Sequence, residues 1–459
     1  MSTIGIDIRI GNADTGAKVE PGQFSAFHVF HMQNPDVAEN RISIEEFLKS
    51  LRSFRLKPSP IALDLLVIAC AAYAADTSIN RHKNSEDGWT RQFHLFVPVS
   101  ELGAWNAQQR LIEEILNFLT GDLWRISFRQ STQPITVAKR QQKPTSYVTD
   151  TVCLFSGGMD SFIGAMKMLN EGKRPLLVGH AKSSDVSHFR NEAGNALRQR
   201  FAALEPRIVQ AFVRCEKPRV DGVAIRGENT ERGRSFLFLA IGAVCASALP
   251  VDGKKKKLYI PENGFIALNL PLTPLRMGAY STRTAHPYYL KLMRQLFDGL
   301  EMDLDLENPF EDKTKGEMLL DSGDPGFVAN AATMSCSRPS TRNAKVEGAG
   351  MRHCGRCVPC IIRRAALRKA KILDDNAQLP EERQYRTDIF SEPLQASNVR
   401  GENVMAFRYM IERIKLDSNF LKSAIHLTGP LDAPEKSLVL YQRGLDEVAA
   451  ILQHVNVVD

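Results

Sequence analysis

The stretch TVCLFSGGMDSFIGAMKML, Thr151 to Leu169, restricts the fold of this 459-residue chain more than any other. TVCLF has the unbroken apolar character of a strand buried on both faces. FIGAMKML repeats apolar residues at helical spacing, and only the six residues SGGMDS separate the two. The pattern continues to about Leu320. RPLLVGHA, RIVQAFVR and KKLYIPEN are further strand candidates, and DSFIGAMKMLNEG, SHFRNEAGNALRQRFAAL and RSFLFLAIGAVCASAL are helix candidates. Strands alternating with helices predict a parallel sheet with helices on both faces.

The flanks read differently. Residues 1–145 predict an α+β module, with helices at ALDLLVIACAAYAAD and AQQRLIEEILNFLTG and strands at RQFHLFVPV and LWRISFR. The polar run QSTQPITVAKRQQKPTSY follows as a linker. The last part, with VMAFRYMIERIKL and SLVLYQRGLDEVAAILQHV, predicts helices. The expected division is therefore 1–145, 146–370 and 371–459.

A hydrophobic share of 43% fits a globular chain, and the formal charge of +7 favours anionic partners without naming one. The first residues lack the basic and apolar regions of a secretory signal, which leads us to expect a cytoplasmic protein. SFLFLAIGAVCASAL, Ser235 to Leu249, falls short of the roughly 20 residues of a membrane span and predicts a buried helix. The lysines 254–257 predict a solvated turn.

The loop SGGMDS has the composition of an anion cradle. Gly157 and Gly158 let backbone N–H groups turn inward, and Ser156 and Ser161 add hydroxyls. The helix beginning near Met159 directs its positive end at the same point. Asp160 would either orient the loop or hold Mg²⁺ against phosphate oxygens. No lysine follows the glycines, so this is not the phosphate loop of kinases and GTPases. A plain Ser/Gly turn with a capping side chain is the structural alternative.

Ligands of such sheets gather beyond the carboxyl ends of the strands. VGHAK (178–182) and PENG (261–264) are therefore candidate walls, with His180 near a nucleotide and Glu262 and Asn263 as candidate base-recognition residues. Arg234, opening a helix, and Lys313, in EDKTKGEM, are candidates for neutralising phosphate.

Of eight cysteines, Cys70, Cys153, Cys215 and Cys245 are scattered among apolar residues. Cys336, Cys354, Cys357 and Cys360 form C-x17-C-x2-C-x2-C, in which the two-residue gaps let thiolates converge on one ion. Four sulfurs leave no open position, so zinc here would be structural, and an iron–sulfur cluster is the chemical rival.

With both motifs in view, the chain resembles the PP-loop ATP pyrophosphatases, and among them the 7-cyano-7-deazaguanine synthase family, QueC. That family combines SGGxDS, an Arg opening a later helix, a Lys near the last element, and a distant Cys followed by HCGxCxxC. The positions here are Ser156, Gly157, Gly158, Met159, Asp160 and Ser161; Arg234; Lys313; and Cys336, Cys354, Cys357 and Cys360. The resemblance covers about Thr151 to Leu367 and implies a PP-loop/HUP-like parallel sheet, ATP, Mg²⁺ and Zn²⁺. Its implied chemistry is adenylation of a 7-carboxy-7-deazaguanine-type carboxylate, releasing AMP and pyrophosphate. Asp160, Ser161, Arg234 and Lys313 would be catalytic. The long flanks and the segment after PENG depart from the shorter family members. They resemble the QueC-like, QatC-type proteins of bacterial anti-phage operons, for which the resemblance implies a QatB-like protein partner whose amine accepts the acyl group. Two other readings remain: a tRNA-modifying enzyme sharing the loop, with a nucleic-acid partner, and a non-catalytic nucleotide-binding scaffold.

Overall fold

The computed structural model describes residues 3–137, 147–181, 184–216, 219–220, 223–224, 227–228, 230, 232–251, 253–274, 283–339, 351–396, 398 and 400–458. Two parallel sheets face one another across a shared layer of helices. The first contains β1 (Thr3–Ile10), β2 (Ala26–Met32), β3 (Gln92–Val99) and β4 (Leu123–Gln130), in the order β2-β1-β3-β4. Every pairing in it is parallel, where an α+β arrangement was expected. The physical reason lies in two helices, α1 (Pro60–Ser78) and α2 (Gln109–Thr120). They occupy the connections between β2 and β3 and between β3 and β4, as parallel crossovers require. α1 starts from Ser59, whose side chain accepts from Ala62 N–H, with Pro60 in the first turn.

The second sheet contains β5 (Thr151–Leu154), β6 (Leu176–Ala181), β7 (Arg207–Phe212), β8 (Lys256–Tyr259) and β9 (Leu304–Glu307), in the order β9-β8-β5-β6-β7, again all parallel. The predicted strands thus form, KKLYIPEN included; of the lysines 254–257, also read as a solvated turn, Lys256 and Lys257 open β8, and Lys257 pairs with Glu307 at 2.7 Å. The chain order reverses between β5 and β8, which makes their carboxyl ends the crevice of the sheet. α3 (Met159–Asn170) and α4 (Ser184–Arg200) follow β5 and β6, and α5 (Arg234–Ser247) precedes β8.

Alternate residues of each strand face the shared layer. Ile4, Ile6 and Ile8 of the first sheet and Leu154, Val178 and Val209 of the second belong to one hydrophobic core, with α1 and α5 inside it. Residues 3–137 are thereby welded to the second sheet; most of the expected linker, 138–146, lies outside the described residues. The segment Ser235–Leu249 is buried as expected. α1 is the one helix among the described residues long and apolar enough to cross a membrane, and it is buried too.

The opposite face of the second sheet packs Cys153, Phe155 and Leu177 against Phe162, Met166 and Leu197. Beyond it lie α6 (Lys315–Leu320) and α7 (Val358–Lys369), and then the tail helices α8 (Glu402–Leu416) and α9 (Pro434–Leu452). The tail forms its own core with Phe265, Leu268 and Ile361.

Candidate functional site

β5 delivers the chain into the crevice, and Gly157 turns it at φ +85°. A Cβ there would stand 2.8 Å from Cα of Arg190, so this position needs glycine for both conformation and space. Ser156 Oγ lies 3.2 Å from Ser161 Oγ and accepts from Gly158 N–H at 3.3 Å, while Ser161 Oγ donates to the Gly158 carbonyl at 3.0 Å. Gly158 caps α3 without a side chain of its own, which leaves first-turn N–H groups of that helix directed at the loop.

Asp160 is 6% exposed and its two oxygens are engaged. Oδ1 accepts from Lys315 Nζ; Oδ2 accepts from Asn263 Nδ2 at 2.6 Å and Asn263 N–H at 3.2 Å. Three corrections follow. Lys313 is not the site lysine: it forms a partly exposed ion pair with Asp321, whereas Lys315 is 3% exposed and meets Asp160. The signal was present in TKGEM. Thr314 and Glu317 make a capping box, which sets Lys315 at the first helical position. Asn263 does not offer its amide to a base, because Nδ2 serves Asp160 and Oδ1 accepts from Ile266 N–H. His180 does not border the loop; it is 1% exposed inside the shared layer, edge-on to Tyr73 of α1 and near Phe238 of α5. Lys182 lies outside the described residues.

Glu262 stays in the crevice. Burial, and then the charge of Asp160, push its carboxyl up to about 8 against the pull of Lys315. Its hydrogen bonds among the described residues run through its backbone, to Asn308.

Arg234 opens α5, and its charge reaches a residue that sequence reasoning missed, Arg190. Arg190 is 1% exposed and runs from beneath Gly157 across Gly179 on β6. Burial, then Arg234, lower its pKa to about 10. A signal existed: Arg190 shares a helical face with the buried Ala193 and Leu197, three and seven residues on.

Each peripheral region sends polar bonds to this crevice. From the first sheet's side, Asp76 accepts from Gly233 N–H at 2.9 Å and Thr230 Oγ at 3.2 Å, anchoring the start of α5; Arg91 holds Asp76 at 2.6 Å. From the tail, Glu447 accepts from Thr314 Oγ and from Gly316 N–H at 3.2 Å, fixing the turn that carries Lys315. From the cysteine region, Ser335 Oγ accepts from Met159 N–H at 3.3 Å, and Met334 N–H donates to the Gly157 carbonyl at 2.9 Å.

Cys336, Cys354, Cys357 and Cys360 come together, all four sulfurs within 4.8 Å of one another. Metal–sulfur bonds of about 2.3 Å place two ligands of one ion at most about 4.6 Å apart, so this spacing suits a single ion such as zinc better than a cluster of several irons. Arg338 and Cys354 N–H groups both donate to Cys336 Sγ at 3.3 Å, as thiolate ligands require. Crowding divides the thiols: the bond from Cys336 lowers Cys354 to about 6 and lowers Cys357 further, while Cys336 and Cys360 are raised. A divalent cation is what lets all four ionise together. At Gly355, φ +81°, a Cβ would overlap the Thr387 carbonyl oxygen, so the position admits no side chain. Behind the cluster, His353 is kept neutral by burial and by Arg363, and its Nε2 accepts from Ser335 N–H at 3.2 Å.

No protein-family model matches the chain, and no curated protein matches its sequence.

Proposed function

We propose that this protein is a PP-loop, AMP-forming ligase that adenylates a carboxylate of the 7-carboxy-7-deazaguanine type. It then passes the acyl group to ammonia or to the amine of a QatB-like partner, in a cytoplasmic anti-phage system. The observation that carries the reading is that the Ser156–Ser161 turn, at the carboxyl end of β5, has a buried cation on each side, Arg190 under Gly179 of β6 and Lys315 held by Asp160 beside Asn263. The substrate class and the partner rest on the motif resemblance.

In this scheme the substrate carboxylate oxygen attacks the α-phosphorus of ATP, and the bond from that phosphorus to the bridging oxygen breaks. Pyrophosphate leaves into the Gly157–Gly158 turn, whose preset donors and helix end take up its charge. An amine nitrogen then attacks the acyl carbon and AMP departs, leaving an amide. Activation of that amide oxygen by a second ATP and loss of AMP would yield the nitrile. Glu262, with its carboxyl pushed up to about 8, is suited to take the proton the attacking amine gives up. Lys315, held by Asp160, supplies positive charge to the same space.

Mg²⁺, when bound, would neutralise phosphate oxygens. Asp160 has both oxygens committed within the protein and Glu262 is held toward its neutral form, so neither carboxylate fits a Mg²⁺ site. Zinc would be held by the four cysteines and would serve the structure.

α-Labelled ATP incubated with a 7-carboxy-7-deazaguanine tests the reading. AMP and pyrophosphate should form in step with loss of the acid, and Ser161→Ala should lose turnover while still folding. Formation of ADP would overturn the mechanism.

A further inference from the structure

Among the described residues three arginines are fully buried, Arg91, Arg190 and Arg364. Arg91 is neutralised by Asp76 and Asp122, and Arg364 by Asp374 and Asp388. Arg190 has no such partner among the described residues. Among the described residues its Nε and Nη1 donate to nothing, and Nη2 makes one bond, to the neutral Gln210 Oε1 at 3.1 Å. The charge that acts on it is another cation, Arg234. Burying a guanidinium without a counter-charge is costly, and placing a second cation beside it adds to that cost. A buried cation like Arg190 makes physical sense where an anion arrives from outside.

The backbone is shaped around this side chain. A Cβ on Gly157 would lie 2.8 Å from Arg190 Cα, and one on Gly179 would lie 2.7 Å from its Nε. The positive group therefore sits under the backbone of the loop's neighbour β6, about one strand spacing, roughly 4.8 Å, along the sheet from the turn after β5. If that turn takes the two terminal phosphates, the next phosphoryl group along the nucleotide lies above Arg190.

We propose that Arg190, backed by Arg234, is a positioning residue whose charge, acting through the Gly157 and Gly179 backbones, holds the phosphoryl group that remains on the nucleoside: the α-phosphate of ATP, and then AMP. This rests on the reading of the Ser156–Ser161 turn as a pyrophosphate cradle. It goes further in assigning two anion subsites with different residues.

The test is titration of the full-length protein with pyrophosphate, AMP and ATP separately, in wild type, Arg190→Met and Arg190→Lys, with melting curves of each without ligand. Arg190→Met should weaken AMP and ATP roughly tenfold or more while leaving pyrophosphate within about twofold. Arg190→Lys, which keeps the charge, should recover most of that loss. Without ligand, Arg190→Met should melt no lower than wild type, because it removes a buried unpaired charge. An equal loss for all three ligands, a lysine variant as weak as the methionine one, or a Met variant that melts well below wild type would overturn the assignment while leaving the cradle standing. A wild-type protein that binds AMP but no pyrophosphate would overturn the cradle, and this proposal with it.

Discussion

The two parallel sheets enclose the same helical layer, and in each the strand order reverses once, between β1 and β3 in the first and between β5 and β8 in the second. Their crevices are nonetheless opposites. In the first sheet the chain supplies its own anions. Asp64 of α1 accepts from Ser100 N–H at 2.8 Å, Glu101 N–H at 3.1 Å and Trp105 Nε1 at 3.0 Å, just beyond the end of β3. Asp14, beyond β1, accepts from Ile10 N–H at 2.9 Å and pairs with Arg129 at 2.7 Å. In the second sheet glycines stand at the strand end, Asp160 is spent on Lys315 and Asn263, and among the described residues the buried cation Arg190 pairs with no carboxylate. A strand-order reversal provides an electropositive crevice in either case. The two differ in whether a buried cation is left, among the described residues, without a carboxylate of the protein's own, which would leave room for an outside anion.

The largest effect that could break this contrast comes from Lys315→Met. It would strand Asp160 in the interior without its cation, and loss of one partner of a buried pair costs about 3–5 kcal/mol. Chemical denaturation should show that loss, and Lys315→Met/Asp160→Asn should recover most of the stability but no pyrophosphate release. A double variant as unstable as the single one would show that the pair does not act as a unit. Next comes Gly157→Ala, which forces a side chain onto the Arg190 backbone at positive φ. Displacement of the turn by even an ångström should lower pyrophosphate release about 100-fold. A near-wild-type rate would mean that the turn does not cradle the leaving group.

Asp64→Asn probes the filled crevice. It weakens bonds to three N–H groups, one of them fully buried, and should cost about 1–3 kcal/mol, yet leave AMP and pyrophosphate affinity unchanged. A change in either affinity would mean that the first sheet communicates with the site, despite the opposite filling of the two crevices.

The contrast also explains what could be read in advance. The strands and helices of the second sheet were legible because buried strands show as unbroken apolar runs, and the cysteine cluster because its spacing alone brings sulfurs together. The parallel character of the first sheet was not, since β1 and β2 are linked to no apolar run as long as α1. Lys315 was lost to Lys313 two positions away, although its capping box marked it. Asn263 and His180 were misread because strand-end position does not say which face a side chain takes or whether its bonds are already spent. Arg190 was hidden as an ordinary helical arginine, because nothing local reveals that it lies under two glycines. Glu447 and Asp76 act across more than 100 residues of chain, and such long-range bonds leave no mark in local sequence.

Two further effects sharpen the comparison at the second crevice. The cysteine site touches the turn through Ser335, so Ser335→Ala should weaken nucleotide binding several-fold, on the order of 1 kcal/mol. Chelation should reproduce that loss in wild type and add little to the variant; a further large loss on chelation would break the Ser335 route. The other effect is the pH dependence of Glu262. Its carboxyl is raised in the folded protein, to about 8, from an unfolded value of about 4.3. A raised group contributes stability that is fully present below the unfolded value and is lost as pH rises through the folded one. Wild type should therefore lose stability between about pH 4.3 and 8, a slope that Glu262→Gln, which cannot ionise, should flatten. Melting curves at pH 5 and pH 8 decide the point: the variant should match wild type at the lower pH and exceed it at the higher. Parallel curves would place Glu262 outside the shared field of Asp160 and Lys315, and so outside the crevice that the second sheet leaves open.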